Sequence, residues 1–306
     1  MLKYGLSINP NETIQETVEK SIEMEKLGFD YVWVSNTSSR LCFHTIASNI
    51  AGKTSNIRVG VGLISPLLYT SSQIVKSIAT LAKLHGNRFE LCIGPGDRSQ
   101  LRKMGFKLSE LKHIPELLLR IRREVDEGLS QEGLRIPIWL GAQGPRMLKI
   151  ARFFQCVLLN YADIDLIRWA LEEMNLPYRN SVQLGIYAPS YVYTYRDSQL
   201  YHLLKVSSIT VALGTTRSVL EKIGLYGEII KIREELKRGY KLKDVVDKVP
   251  EEVVEKFSIY KSSNALSSYI LKLKEIGVKH IVFGYPQNIS KETIRTLALS
   301  LPSRKT

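Results

Sequence analysis

The chain lacks the patterns that would mark a cross-linked scaffold or a metal centre. Only three cysteines occur, Cys42, Cys92 and Cys156, far apart and without a CxxC or Cys/His pairing. Neither a disulfide framework nor a zinc site is therefore encoded, and a reducing compartment fits. The histidines, His44, His85, His113, His202 and His280, show no HxxxH or HExxH spacing, so no metal is expected. A GxSxG nucleophile motif and a Walker loop are also missing. No apolar run approaches the ~20 residues a membrane helix needs. Met1 to Ile8 enters a strand-like segment directly, without the apolar stretch and cleavage site of a signal peptide. The expectation is a cytoplasmic protein with no membrane partner.

What is present is the balance of an ordinary globular protein: 306 residues, 44% apolar and 24% charged, enough for a large core. Forty-three Lys and Arg against thirty Asp and Glu leave +13, a field that attracts anions without naming one. Basic clusters stand at Arg98 to Lys107, at Arg120-Ile121-Arg122-Arg123 and from Lys231 to Lys248. Most are interleaved with Glu or Asp at helical spacing, which suits solvated, salt-bridged faces better than nucleic-acid grooves. No recognised binding module accompanies them, so nucleic acid is not an expected partner.

Short β-branched runs alternate with longer helical patterns. Strands are predicted at Tyr4 to Ile8, Tyr31 to Val34, Ile57 to Leu63, Arg88 to Ile93, Ile136 to Leu140, Cys156 to Leu159, Val182 to Tyr195 and His280 to Phe283. Helices are predicted at Thr13 to Leu27 with Asn11 as its cap, His44 to Lys53, Ser71 to Leu84, His113 to Gly128, Pro145 to Phe153, Ile164 to Asn175 and Leu266 to Ile276. A charge-laced helical stretch runs from Asp197 to Phe257, and a helix closes the chain. Strands separated by helices pair in parallel, because parallel neighbours need a crossover long enough to hold one. Eight such units favour a (β/α)8 TIM barrel over a doubly wound open sheet, with insertions after strands 4 and 7. No linker-like tract interrupts residues 1–306, so one domain is expected.

In such a barrel, function sits in the loops that follow the strands. Gly141-Ala142-Gln143-Gly144-Pro145 combines two glycines with a proline suited to the first helical position, a pattern that fits an anion cradle at a helix N-terminus. A tight strand-to-helix turn needs the same glycines, and the loop alone does not choose. Gly94-Pro95-Gly96-Asp97 places Asp97 at the mouth, although spacing alone favours a turn with Asp97 capping the next helix. Gly60-Val61-Gly62-Leu63 puts glycine inside a strand, a mark of a bulge or of close approach to a ligand. Tyr187, Tyr191, Tyr193 and Tyr195 alternate along strand seven, which core packing explains as well as ring stacking.

Four stretches carry a resemblance: Gly28-Phe29-Asp30-Tyr31-Val32-Trp33, Ser77-Ile78-Ala79-Thr80-Leu81, Gly94-Pro95-Gly96-Asp97, and Ile136 through Lys149. Together they resemble the luciferase-like barrel flavoproteins, and among them the deazaflavin-dependent methylenetetrahydromethanopterin reductases. The resemblance implies a bound deazaflavin, coenzyme F-420, across the mouth. Its ring would lie against a bulge with a non-proline cis bond at Gly62-Leu63, and its phosphate tail would reach toward Gly141, Ala142, Gln143 and Gly144. Asn36 falls at a further cofactor position. Gly96 and Asp97 would face the substrate, a C1-carrying tetrahydropterin. The implied reaction moves a hydride from the reduced cofactor to the methylene carbon. Family habit also implies a homodimer or higher homo-oligomer.

The sequence departs from that pattern. The reductases carry a glutamate on strand one where this chain has Ser7, and Asp-His after strand two where it has Asn36-Thr37. Serine is a poor general acid, so of the two catalytic positions, Ser7 and Asp97, only Asp97 keeps an ionisable group. Three changed polar positions around one mouth point to an altered substrate, another cofactor preference or lost activity. The alternatives are an FMN-dependent luciferase-like monooxygenase and a non-catalytic cofactor-binding relative.

Overall fold

The computed structural model describes residues 1–8, 12–35, 42–96, 101, 104–107, 110–176 and 182–302. Its strands, in chain order, are β1 (Lys3–Ile8), β2 (Tyr31–Val34), β3 (Arg58–Ile64), β4 (Phe89–Ile93), β5 (Ile138–Ala142), β6 (Cys156–Leu159), β7 (Gln183–Tyr193), β8 (Ile259–Ser262) and β9 (Val278–Gly284). Strands β1 to β6 pair in sequence, β6 pairs with β7, β7 with β9, and β9 with β1, all parallel. These eight strands close a barrel, and helices surround it. The remaining strand, β8, pairs with Ser190 to Tyr193 of β7, beyond the point where β9 ends with Gly284 opposite Pro189.

The strands read as near-continuous apolar runs because both of their faces are buried. In β2, Val32 and Val34 pack outward against the helices, while Tyr31 and Trp33 point into the barrel. Cys92, Trp139, Cys156, Leu158 and Val282 join those two rings in the interior, and Leu63 and Tyr187 pack on top of them. Glycines on neighbouring strands make room: a Cβ on Gly60 would stand 2.3 Å from the Trp33 ring, and one on Gly185 3.0 Å from Trp139. Small against large is how a barrel of this size fills its interior.

Several details differ from the sequence-based expectation, among them β8, a ninth strand where eight were expected. Thr13, not Asn11, caps the first helix (Ile14–Lys26), because Thr13 and Glu16 form a reciprocal capping box; Asn11 lies outside the described residues. The segment Pro145 to Phe153 is not one helix but a single α-turn (Pro145–Leu148) and a 3-10 turn (Ala151–Phe153) within the short return from β5 to β6. Strand β5 runs on to Ala142, so Gly141 and Ala142 belong to the ladder with β6 rather than to a loop.

The floor of the barrel is a sealed polar layer. Glu90, buried, accepts hydrogen bonds from the Tyr31 hydroxyl (2.8 Å), Arg58 Nε (2.9 Å) and Trp139 Nε1 (2.5 Å). His280, fully buried, accepts one from Trp33 Nε1 at 2.9 Å, and burial pushes its ring down to about 3. Donors directed at a buried carboxylate are what make its burial tolerable.

Candidate active site at the barrel mouth

The C-terminal ends of the strands converge on a rim, and several of the described loops above it are tied to neighbouring strands. Gly94 N–H donates to Ile64 O (3.1 Å), and Ser65 Oγ donates to Pro95 O (3.1 Å), which locks the loop after β4 onto the end of β3. Gly96 adopts φ +82° there and packs on Ser65. On the other side, the buried Lys20 ammonium donates to the Glu12 carboxylate (2.8 Å), Asn288 O (2.9 Å) and Ile289 O (2.8 Å). Asn288 Nδ2 in turn donates to Ser7 O. The exits of β1 and β9 are thereby fastened together.

Between these ties lies the β3 bulge. The pairing of β3 with β4 shifts register between Val61 and Ile64, and the Gly62–Leu63 peptide within that shift is cis. Its surroundings are built for close approach. A Cβ on Gly62 would meet Cys92 Cβ at 2.6 Å, and Leu63 Cδ1 would stand 2.4 Å from a Cβ on Gly94 and 2.1 Å from one on Gly141. Leu63 thus lies in a slot that only two glycines leave open, and it forms an apolar seat level with the strand ends.

Across the mouth stands a row of hydroxyls. The Tyr187 phenol shares a 3.1 Å hydrogen bond with Ser35 Oγ and a second with the Ser7 side chain. Burial pushes this phenol above its usual range, and the Ser35 and Ser7 hydrogen bonds pull it partly back. Ser7 and Ser35 are themselves buried.

Of the residues singled out from sequence, Ser7, Gly62, Leu63 and Gly141 share this mouth. Gly96 stands at its edge beside Ser65. Ala142 faces the other way, into the core between sheet and helices. Gln143 and Gly144 are tied to the segment after the helix Ser198–Gly214: Gln143 Nε2 donates to Thr215 Oγ1 at 2.8 Å, and Gly144 packs against Thr216. The helix that follows Gly144 is a single turn, so its dipole is a small fraction of that of a full helix. Asn36 and Asp97 lie outside the described residues.

Sequence reasoning missed Ser35 and Tyr187. It placed the exit of strand seven at Tyr195, whereas the barrel portion of β7 ends near Pro189, so Tyr187 sits at the rim. The available signal was the end of β9: once Gly284 is taken as the rim, its register partner Pro189 fixes the height of Tyr187.

A model of the family described as luciferase-like monooxygenase matches residues 3–280. The 5,10-methylenetetrahydromethanopterin reductase of Archaeoglobus fulgidus is 27% identical, the match covering 93% of this chain and 94% of that protein. Among solved structures, the coenzyme F-420 dependent tetrahydromethanopterin reductase from Methanopyrus kandleri superposes with a TM-score of 0.86 at 21% identity, covering 98% of both chains. An F-420-dependent secondary alcohol dehydrogenase, solved with an F-420–acetone adduct, gives 0.70 at 13% identity, covering 97% of this chain and 99% of its own. These two likenesses establish the fold.

Proposed function

The chain belongs to the luciferase-like monooxygenase family, and on that premise we propose that it is an oxidoreductase that transfers hydride from reduced coenzyme F-420 to a methylene-tetrahydropterin. The observation that carries this reading is the apolar seat at the mouth. Leu63, held between Gly94 and Gly141, lies beside a bulge at Gly62 with no room for a side chain, and a row of neutral hydroxyls faces it. A flat, neutral ring system fits such a seat, and a protonatable substrate fits the hydroxyl side. The full-length likeness to a methylenetetrahydromethanopterin reductase supports the substrate class.

In this reading the Gly62-Leu63 backbone supports the ring, and the backbone of Gln143 and Gly144, within the field of a +13 chain, lies toward the anionic tail. Asn36 is assigned to the cofactor side, and Gly96 and Asp97 to the substrate side. The cofactor, when bound, supplies the hydride. The protein supplies the stacking surface, excludes water with its closed floor, and provides the proton that cleavage of a carbon–nitrogen bond requires. We also assign the active form to a homo-oligomer, which sedimentation of the purified chain measures.

The test is uptake followed by turnover. Purified protein titrated with F-420 is expected to change the cofactor's fluorescence, to ignore FMN, and to oxidise reduced F-420 when a methylene-tetrahydropterin is added. Uptake of FMN in place of F-420 would overturn the reading, and so would F-420 binding without oxidation by any methylene-pterin.

A further inference from the structure

We propose that Tyr187 is the proton donor to the substrate, with Ser7 and Ser35 holding its hydroxyl. The inference rests on the hydride-transfer reading above and deepens it. When a hydride reaches a carbon bridging two nitrogens, one carbon–nitrogen bond must break. Its electron pair stays on the departing nitrogen, which needs a proton.

The described residues narrow the candidates. Glu90 is engaged by Tyr31, Arg58 and Trp139, and it lies at the floor beneath the two tryptophans. His280 sits in the same layer, fully buried and bonded to Trp33. Neither reaches the mouth. Cys92 and Cys156 are buried, and burial holds both thiols protonated, with Cys156 pushed up to about 12. At the rim the Glu12 carboxylate is engaged by the buried Lys20 ammonium, which leaves, among the mouth residues described above, Ser7, Ser35 and Tyr187. Of these only the phenol ionises in an accessible range.

The geometry around Tyr187 suits the role. Its ring is fixed by Gly284, where a Cβ would come within 3.1 Å of Cε2. Two serine hydroxyls flank the phenolic oxygen. Hydroxyl protons rotate, so both serines can turn to donate once the phenol has given its proton away. The phenol thus stays protonated at neutral pH and has its conjugate base stabilised in advance.

The step balances. The hydride carries two electrons to the methylene carbon, which becomes a methyl group. The carbon–nitrogen pair collapses onto nitrogen, and nitrogen takes the Tyr187 proton. Reduced F-420 is oxidised, and the tyrosinate recovers a proton from solvent by way of Ser35.

The experiment uses the full chain with tyrosine labelled at 13Cζ, Tyr187 being assigned by the signal lost in Tyr187→Phe. In the wild type this signal is expected to remain that of a phenol through pH 10, to move to still higher pH in Ser35→Ala, and to shift when a tetrahydropterin is added. In turnover, Tyr187→Phe is expected to lose about a hundredfold or more in kcat, with F-420 affinity within twofold of wild type and an unchanged melting temperature. A pterin that leaves the Tyr187 signal in place overturns the proposal. So does an active Tyr187→Phe, or a Tyr187→Phe that keeps its rate while Asp97→Asn loses it. A wild type that oxidises no reduced F-420 removes the underlying function instead, and is recognised by that fact.

Discussion

Leu63 shows how one side chain ties the barrel interior to the mouth. Its Cδ1 occupies the space that a Cβ on Gly94 or Gly141 would need, at 2.4 and 2.1 Å. Gly141→Ala is therefore an overpacking substitution, expected to cost about 1–3 kcal/mol in urea unfolding. Combining it with Leu63→Ala should recover part of that loss, since the intruding methyl group then has room. If the two costs simply add, the two positions do not share this space.

His280 makes a second prediction at this scale. Burial holds the folded ring down at about 3, whereas in the unfolded chain it titrates near 6.5. Between those values the unfolded state binds the extra proton, so the stability this residue contributes is complete above pH 6.5 and declines as pH falls toward 3. The full span is on the order of 5 kcal/mol. His280→Gln, which keeps an acceptor for Trp33 Nε1, should flatten the slope of unfolding free energy between pH 4 and 6.5 in denaturant titrations at successive pH values. An unchanged slope would show that other groups dominate acid sensitivity.

Elements were legible where a local signal ends them. Gly28 and the apolar run after it mark the start of β2. Thr13 and Glu16 are a capping box visible in the sequence, although Asn11 is an equally good cap by residue type. Thr13→Ala is expected to lower stability by about 1 kcal/mol, read from the denaturation midpoint, while Asn11→Ala should change it by less than half of that. The height of an element relative to its neighbours was not legible. Alternation along β7 tells which face a tyrosine occupies, but only pairing with β9 and β8 shows that Tyr187 lies inside the barrel and Tyr191 and Tyr193 beyond it. Strand β8 has four residues, one of them lysine, too few to display a period. For the same reason Ser7, Gly62, Leu63 and Gly141 could be nominated from strand ends, while Ser35 and Tyr187 needed coordinates.

For the whole molecule, the described residues form a barrel with a polar base and a mouth at the strand ends. The base is filled by Glu90, His280 and three aromatic rings, and among the described residues the loop after β4 is fastened to β3 and the exit of β1 to that of β9. Many exposed lysines and arginines are paired with carboxylates, and the chain as a whole carries +13. Uptake of an anionic cofactor should accordingly weaken as salt is raised, mainly through a slower association rate. Stopped-flow mixing with F-420 across a salt series measures this, and a rate that ignores salt would show that the field plays no part.

The seam of the barrel is where β1 meets β9. Strand β1 has one neighbour in β2 and waits for its other, β9, until residues 278–284 have been synthesised. Lys20, fixed early in the first helix, finds two of its three acceptors only in the turn that follows that late arrival. A nascent chain stalled short of residue 278 therefore has no finished pocket to offer, and a newly made copy becomes competent all at once, as its final hoop is driven home.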